Sequence, residues 1–274
     1  MKKYLAMMVI ASAVFAACEK DKGDENQVDP NTVTYEGVTY KTVTLSDGST
    51  WMAEPLRVIP AGKTVSEDPK NGGVWYPYEV KDGAPAPLKD EASIAKLGYL
   101  YDAATAFGVE AITKENYNTF EGTRGICPEG WHIPTRADYI STFGYATKAD
   151  GETTDTVNQQ APFYTETNNG GCIVKANELG FNFTFTGAII AGAYNKLVID
   201  NTVSNVEAFY GSNRMSYLIG STAYKLTENT DGSMKNVQYF YGMTTFTKTF
   251  LTGRLNAAYG AYNTAGQVRC VKNK

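Results

Sequence analysis

The sequence predicts an α+β fold, because its few helix-like segments lie early in the chain and many short strand-like segments follow late. Apolar and polar residues alternate in short runs between turn residues, a pattern typical of half-buried strands. No internal repeat period is visible. Hydrophobic residues make up 43% of the chain and aromatic residues 12%, so we expect a folded protein with a substantial core.

Residues 1–17 have the features of a bacterial lipoprotein signal peptide. Two lysines precede an apolar stretch, residues 5–15, that is too short to span a bilayer as a stable helix. Two alanines then lead into Cys18, whose thiol is placed to receive a diacylglycerol. The alternative is an ordinary secreted protein in which Cys18 is coincidental. We expect Cys18 to be lipidated and the mature chain to be held at the membrane by lipid alone.

Residues 18–31 are predicted to be the lipidated cysteine and a disordered acidic tether. The stretch after Cys18 is polar and has no aromatic residue, so it cannot bury enough surface to fold. An acidic stretch at this position resembles the export signal that sends lipoproteins to the outer face of certain Gram-negative gut anaerobes. A merely soluble linker is the alternative. We therefore expect a surface-exposed outer-membrane lipoprotein whose folded domain spans residues 32–274.

The charge of the chain excludes one class of partner. Its formal net charge is −4, and no cluster of lysine and arginine stands out in the sequence. Proteins that hold nucleic acids need such clusters to neutralise phosphates. We therefore expect no binding of nucleic acid.

The folded region begins with predicted strands and one helix. Apolar residues alternate with polar ones from residue 33 to residue 45, and a turn at residues 47–48 returns the chain toward Trp51. Residues 57–88 are rich in Gly and Pro, so we expect a long insertion with a short strand inside it. Apolar spacing then predicts a helix over residues 101–107 that ends at Gly108.

The second half is predicted to contain one capped helix and several strands. Thr135 and Asp138 form a variant of the capping pattern, which predicts a helix from residue 136 to about residue 145. Residues 146–171 are mostly polar and are predicted to be a loop. Three phenylalanines alternate with polar residues over residues 181–186, which predicts a half-buried strand. Further strand-like runs are residues 194–199, 217–222, 237–241, 244–251 and 267–272.

Cysteine usage leaves the disulfide pattern open at this point. After Cys18, three cysteines remain, namely Cys127, Cys172 and Cys270. Disulfides form in the compartment that a secreted lipoprotein reaches. An odd number means that one cysteine stays unpaired or bonds to another molecule.

Several motifs follow one another along the chain in a recognisable order. They are residues 38–56, with Trp-Met-Ala-Glu at 51–54; residues 97–104; Gly-Ile-Cys-Pro-Glu-Gly-Trp-His-Ile-Pro-Thr at 125–135; residues 178–194; and residues 266–272, with Val-Arg-Cys-Val-Lys at 268–272. In this order they resemble the FISUMP (Fibrobacter succinogenes major paralogous) domain of secreted and lipid-anchored bacterial proteins. Pro55 stands where that family usually has Asn. The resemblance covers residues 32–274.

The resemblance implies a fold and a disulfide. The FISUMP family is similar in fold to C-type lectin-like domains, in which the N- and C-terminal strands pair and two short helices flank small twisted sheets. It also implies a bond between Cys127 and Cys270, which leaves Cys172 unpaired. Membership of a fold family does not by itself give a function.

The sequence offers little to support catalysis or metal binding. His132 is the only histidine, so we interpret it as a structural hydrogen-bonding residue rather than a catalytic one. The Glu-Pro-Asn or Gln-Pro-Asp triplet and the Trp-Asn-Asp triplet of calcium-dependent lectins do not occur, and residues 54–56 lack the amide. The related formylglycine-generating enzymes need a cysteine pair, which Cys172 alone cannot supply. We expect no enzyme activity, no cofactor and no metal.

Two features are candidates for binding or modification. Trp75, Tyr76 and Tyr78 in the predicted insertion are candidates for an exposed aromatic platform on which sugar rings stack. The alternative is that they fasten a long loop to the domain. Thr156 lies in Asp-Thr-Val, which resembles the O-glycosylation acceptor motif of the same bacterial group.

Taken as a sequence, the chain is best interpreted as a surface lipoprotein that binds an extracellular ligand without calcium. The ligand is expected to be a glycan or a surface polymer. The alternative is a structural surface protein or adhesin subunit that acts through protein–protein contacts.

Overall fold

The computed structural model describes residues 31–69, 71–166, 171–190, 198–199, 202–203, 209–210, 215–245, 256–261 and 264–274. Cys18 and the signal peptide and tether predicted around it lie outside the described residues, apart from Asn31. Residues 31–274 form one unit with its own core. Within the described part of the chain, every helix is too short or too polar to cross a membrane.

The first half of the domain consists of short strands and two short helices. They are β1 (Thr32–Tyr35), β2 (Val38–Thr44), β3 (Thr50–Met52), β4 (Val65–Ser66), β5 (Val74–Trp75), β6 (Tyr78–Lys81), β7 (Ala84–Pro87), α1 (Glu91–Leu97), β8 (Leu100–Tyr101) and α2 (Ala103–Phe107).

The second half contains longer strands. Its elements are β9 (Trp131–His132), α3 (Arg136–Phe143), β10 (Tyr145–Ala146), β11 (Thr156–Val157), α4 (Gly171–Glu178), β12 (Ala188–Ile190), β13 (Val198–Ile199), β14 (Thr202–Val203), β15 (Phe209–Tyr210), β16 (Met215–Glu228), β17 (Met234–Thr245), β18 (Asn256–Ala261), β19 (Thr264–Ala265) and β20 (Val271–Lys272). The predicted α+β class is confirmed.

One sheet joins the two ends of the described domain. Its strand order is β1-β2-β3-β20-β9, so the last strand lies between the opening hairpin and the corner that precedes α3. Val271 in β20 pairs with Trp51 on one side and with His132 on the other. The β1–β2 turn uses Glu36 and Gly37 at φ 49° and 74°, the left-handed pair that matches the twist of a tight hairpin. Strands β2 and β3 pair antiparallel on either side of the turn at residues 47–48, so the predicted opening hairpin is confirmed.

A second sheet is built around one long hairpin. Strands β16 and β17 pair antiparallel, and the sheet order is β11-β10-β18-β17-β16. The predicted strands at residues 217–222 and 237–241 lie inside this hairpin. Of the strand predicted at 244–251, residues 244–245 belong to β17, and the rest lie outside the described residues. Of the run predicted at 194–199, residues 198–199 form β13, and the rest also lie outside them.

The predicted helices are present, with corrected starts and ends. Helix α2 ends at Gly108 as predicted, but Tyr101 belongs to strand β8, and the helix starts after Asp102, whose carboxylate accepts from Thr105 N. Helix α3 starts at Arg136 as predicted. It ends at Phe143 because Gly144 adopts the left-handed conformation, with φ 82°.

Helix α1 lies at the surface and was not predicted. Asp90 caps its first turn by accepting from Ser93 N, and none of its residues is buried. The helix ends at Gly98, which has φ 68°, and a Cβ there would lie only 2.6 Å from the carbonyl oxygen of Leu56. Glycine permits this close approach, and the backbone N–H of Tyr99 donates to the same carbonyl oxygen at 3.1 Å, which holds the end of α1 beside the segment that follows β3.

The strand predicted over residues 181–186 is wrong. Phe181 and Phe183 are buried in an aromatic cluster, but the backbone of this segment forms no ladder with another described strand. Residues 181–186 instead follow helix α4. The first residue of α4 was predicted to be loop, and no structure was predicted for the rest of the helix. Carbonyl oxygens of the segment accept hydrogen bonds from the buried side chain of Arg269.

The aromatic cluster connects distant parts of the chain. Trp51 is fully buried, and its ring lies 5.8 Å from Tyr139, 6.0 Å from Phe143 and 5.9 Å from Phe181, measured between centroids. Its indole N–H donates to Thr142 Oγ1 at 3.1 Å. The opening hairpin, helix α3 and the segment after α4 are therefore packed on one side chain.

Candidate functional site: a polar groove fixed by the closing segment

A groove of about 490 Å³ lies between helix α1, strand β2 with the residues after β3, and the segment after α4. This volume is within the range of small-molecule sites in proteins. Its polar side chains are Lys41, Glu54, Lys96, Asn177, Asn182 and Thr184, and its apolar ones are Ala53, Pro55, Ala95 and Phe183. A depression of about 220 Å³ shares Lys96, Phe183 and Thr184 and extends the groove to Phe185.

Arg269 joins two walls of the groove from below. Its side chain is completely buried. One terminal nitrogen, Nη1, donates to the carbonyl oxygens of Ala53, at 2.8 Å, and of Phe181. The other, Nη2, donates to the carbonyl oxygen of Asn182 at 2.8 Å, and the guanidinium lies over the Phe181 ring. The planar fork of an arginine is suited to holding several acceptors at fixed angles.

The charge of Arg269 has no direct counter-ion in the described part of the chain. No carboxylate there lies within ion-pair distance of its guanidinium. Burial lowers the pKa of Arg269 to about 9, and the nearby Glu54 opposes that shift. The guanidinium therefore stays protonated at neutral pH and places a positive charge beneath the groove.

Gln267 makes the second link between the walls. It is completely buried, and its Nε2 donates to the carbonyl oxygen of Leu97 at 2.9 Å and to Thr184 Oγ1 at 2.8 Å. Between and after these polar residues, Val268 and Cys270 pack into the main hydrophobic cluster. Residues 267–271 are called here the closing segment. Over residues 267–270, polar side chains that bond to the groove walls alternate with apolar side chains that pack in the core.

The exposed charges of the groove are unbalanced. The carboxylate of Glu54 accepts from the backbone N–H of Lys41 at 3.1 Å and lies 3.8 Å from the Arg57 guanidinium. The ammonium groups of Lys41 and Lys96 are exposed, and no described residue pairs with either of them. The single carboxylate of the groove is therefore engaged, and both amines are available.

The amide side chains are held by an unusual backbone. Asn182 has φ 48°, a left-handed conformation that asparagine tolerates better than most residues. Asn177 Oδ1 accepts from the backbone N–H of Phe183, which fixes the segment against the end of α4.

As for metal ligands, the described residues contain no group of three or more His, Cys, Asp or Glu side chains close enough to hold an ion.

A sequence model of the Fibrobacter succinogenes major domain matches residues 47–272, which is more than half of the chain. The chain belongs to this family. The matched region contains most of the groove, the two residues that link its walls (Gln267 and Arg269) and the long hairpin. Searches of curated proteins and of solved structures each found no match.

This Fibrobacter succinogenes major domain contains the disulfide that the resemblance implied. Cys127 and Cys270 are bonded, with Cα atoms 5.9 Å apart and a separation of 143 positions in sequence. The bond ties the corner at residues 125–135 to the closing segment. Gly125 is required in that corner, because a Cβ there would lie 2.0 Å from the carbonyl oxygen of Ala106. Cys172 lies in α4 and its side chain is outside the described part, so its free state stays a prediction.

His132 is held between two partners in the same corner. Its Nδ1 lies 2.7 Å from Asn273 Oδ1 and its Nε2 lies 3.1 Å from Asp138 Oδ2. The hydrogen bond to Asp138 raises the pKa of His132, and burial opposes this. The Thr135 hydroxyl bonds to Asp138 rather than to His132, so this arrangement does not align a nucleophile with a base.

The predicted aromatic platform needs correction. Trp75 and Tyr78 are only 4% and 3% exposed, and they pack in a small cluster with Leu100. Strand β5 pairs with β4 and β8, and Trp75 Nε1 donates to the carbonyl oxygen of Asp68. Tyr76 is half-buried and its ring meets the edge of Tyr99. Trp75 and Tyr78 therefore cannot present their faces for stacking, and they fasten the segment to the domain.

The remaining predicted residues lie away from the groove or outside the described chain. Thr156 is in the edge strand β11, where its hydroxyl accepts from Arg136 Nη2 at 3.2 Å. It is half-buried, and its glycosylation stays a prediction. Lipidation of Cys18 also stays a prediction, because that residue lies outside the described chain.

The residues that build the groove were not predicted from the sequence. Arg269 lies inside the Val-Arg-Cys-Val-Lys motif, and Gln267 precedes it by two positions. The available signal was the alternation of these polar residues with Val268 and Cys270 in a predicted strand. Lys41 and Lys96 carried no signal in the sequence, because exposed lysines are common on every protein surface.

Proposed function

We propose that this protein is a lipid-anchored cell-surface protein that binds an extracellular glycan without calcium and without catalysing a reaction. The observation that carries the proposal is the groove beside α1, with its two free amines, two amides and one hydroxyl along a partly apolar surface. Amides, amines and hydroxyls are the groups that hydrogen-bond sugar hydroxyls.

We also propose that the domain has a C-type lectin-like fold. The pairing of β20 with β3, near the two ends of the described domain, supports this assignment. The disulfide from the corner before α3 to the closing segment is a further support. The absence from the sequence of the calcium-binding triplets of that fold class supports binding without the ion.

The decisive experiment is a glycan array probed with the full chain, purified in detergent, in the presence of calcium or of a chelator. We expect binding to a restricted set of glycans that the chelator leaves unchanged. Loss of all binding in chelator would overturn the calcium-independent mechanism. No binding to any glycan would contradict the proposed function and favour a protein that acts through protein contacts.

The lipid anchor is tested separately. We expect the wild-type protein to partition into the detergent phase and Cys18→Ser to remain in the aqueous phase, because the thiol of Cys18 is the proposed site of the diacylglycerol. Identical partitioning of the two proteins would contradict the anchor. Protease treatment of intact cells then tests display at the outer surface, where the protein should be cleaved.

A further inference from the structure

We propose that the groove selects acidic glycans, that is, sugar chains that carry carboxylate or sulfate groups. This inference rests on the proposed function and names the ligand class of the same groove. Its basis is the imbalance of charge around the groove in a chain that is acidic as a whole.

The two exposed amines come from separate elements. Lys41 lies in β2 and Lys96 lies in α1, so positive charge faces the groove from two walls. Neither amine has a partner among the described residues. The only carboxylate in the lining belongs to Glu54, which is already placed near Arg57. An anionic group on a ligand could therefore pair with the ammonium groups of Lys41 and Lys96 without displacing an existing ion pair.

Buried Arg269 adds to this field from beneath the groove. Its hydrogen-bond partners are the carbonyl oxygens of Ala53, Phe181 and Asn182, which carry no net charge. A charge inside the protein is screened less than one in water, so its field extends further toward the groove. Clefts with charge of one sign and low-dielectric walls concentrate ions of the opposite sign.

A sugar chain fits the remaining lining better than an acidic peptide does. The exposed amides of Asn177 and Asn182 and the hydroxyl of Thr184 provide donors and acceptors spread along the groove. Neighbouring sugar hydroxyls use both kinds of group. A peptide that binds by adding a strand needs an unpaired strand edge, and none of the described strands lies along this lining with such an edge.

Three matched pairs of probes test the proposal with the full chain in detergent. They are oligogalacturonate and its carboxyl-reduced form, sialyllactose and lactose, and a sulfated galactan oligosaccharide and its desulfated form. We expect at least one acidic member to bind about tenfold more tightly than its neutral partner, because a lysine–anion hydrogen bond contributes more than a neutral one. High salt should weaken that binding.

The groove is tested by a charge reversal with a matched control. The double variant Lys41→Glu with Lys96→Glu should bind the acidic probe at least about tenfold more weakly. Lys225→Glu with Lys235→Glu changes the net charge equally on the β16–β17 hairpin, away from the groove, and should bind normally. Since all four lysines are exposed, thermal denaturation should show little loss of stability in either variant.

The outcomes separate this inference from the proposed function. Equal binding of acidic and neutral probes, or equal losses in the two double variants, overturns the selection of acidic glycans but leaves glycan binding intact. Binding of polyglutamate as tightly as the acidic sugars would also overturn it, in favour of an acidic peptide. If no sugar binds at all, the proposed function fails together with the inference.

Discussion

At the scale of single residues, His132 connects three parts of the chain through its two ring nitrogens. It lies in β9, contacts Asp138 in α3, and contacts Asn273 just after β20. Both partner atoms accept hydrogen bonds as placed, so the protonated ring satisfies them together. The hydrogen bond to Asp138 raises the pKa of His132 above its ordinary value of 6.5, with a further contribution from Asn273 and an opposing one from burial.

The first prediction follows from the sign of this shift. A raised pKa in the folded state means that the stabilisation is complete below the unfolded value and is lost as pH rises through the folded value. His132→Gln should therefore destabilise the protein more at about pH 5.5 than at about pH 8.5, as measured by urea denaturation. The titration of Asp138 does not add to this pH dependence. Burial raises the pKa of its carboxyl, but hydrogen bonds from His132 and Thr135 outweigh burial and lower it. Asn273→Ala, which keeps the Asp138 contact, should retain most of the pH dependence.

Trp75 gives a second prediction at this scale. Its side chain is 4% exposed and packs in the cluster that also holds Tyr78 and Leu100. Trp75→Ala should therefore lower the free energy of unfolding by about 3–5 kcal/mol, the typical cost of truncating a buried aromatic residue. The neighbouring variant Tyr76→Ala should cost less, because Tyr76 is half-buried. A stable Trp75→Ala protein that has lost glycan binding would instead restore the platform hypothesis.

At the scale of elements, helix α3 depends on its capping box. The Thr135 hydroxyl accepts from Asp138 N, and the Asp138 carboxylate accepts from Thr135 N at 2.8 Å. Thr135→Ala should lower the free energy of unfolding by about 1 kcal/mol, because the first turn loses its acceptor. Ser141→Ala, inside the same helix, removes only a local bond to the Asp138 carbonyl oxygen and should change stability little. Equal urea midpoints for wild type and Thr135→Ala would contradict this role.

The elements that could be predicted are those with local signals. Thr135 and Asp138 indicate the start of α3, and Gly108 indicates the end of α2, because helix caps act within one turn of the chain. The strand predicted over residues 181–186 failed for a non-local reason. The carbonyl oxygens of Phe181 and Asn182 are satisfied by Arg269, a residue 88 and 87 positions away, instead of by a neighbouring strand. No local pattern could reveal that partner.

The candidate site was even less predictable than the fold. The motifs identified the family and implied the disulfide, and both are present. The aromatic platform failed because aromatic residues in a Gly- and Pro-rich segment look alike whether they are exposed or buried. The groove could not be foreseen, since its lining comes from β2, α1 and the segment after α4, which meet only in the folded protein.

At the scale of the whole molecule, the disulfide is the main covalent constraint in the described chain. It closes a loop with a sequence separation of 143 residues, for which the chain-entropy model gives roughly 5 kcal/mol. The double variant Cys127→Ser with Cys270→Ser should therefore lose several kcal/mol in urea denaturation. Cys172→Ser should not reproduce this loss. Peptide mapping without reductant should recover the Cys127–Cys270 pair, and a cross-link from Cys172 to either partner would contradict the assignment.

The hydrogen bonds from Arg269 and Gln267 in the closing segment also determine when the groove can form. Arg269 reaches the Ala53 carbonyl across 216 residues of sequence, and Gln267 reaches that of Leu97 across 170. The residues of the groove walls are synthesised well before Gln267 and Arg269, and contacts so distant in sequence form slowly. A nascent chain therefore carries unsupported walls until its closing residues dock. If the chain is exported before it folds, its binding site forms only outside the cytoplasm, where cytoplasmic sugars can no longer occupy it.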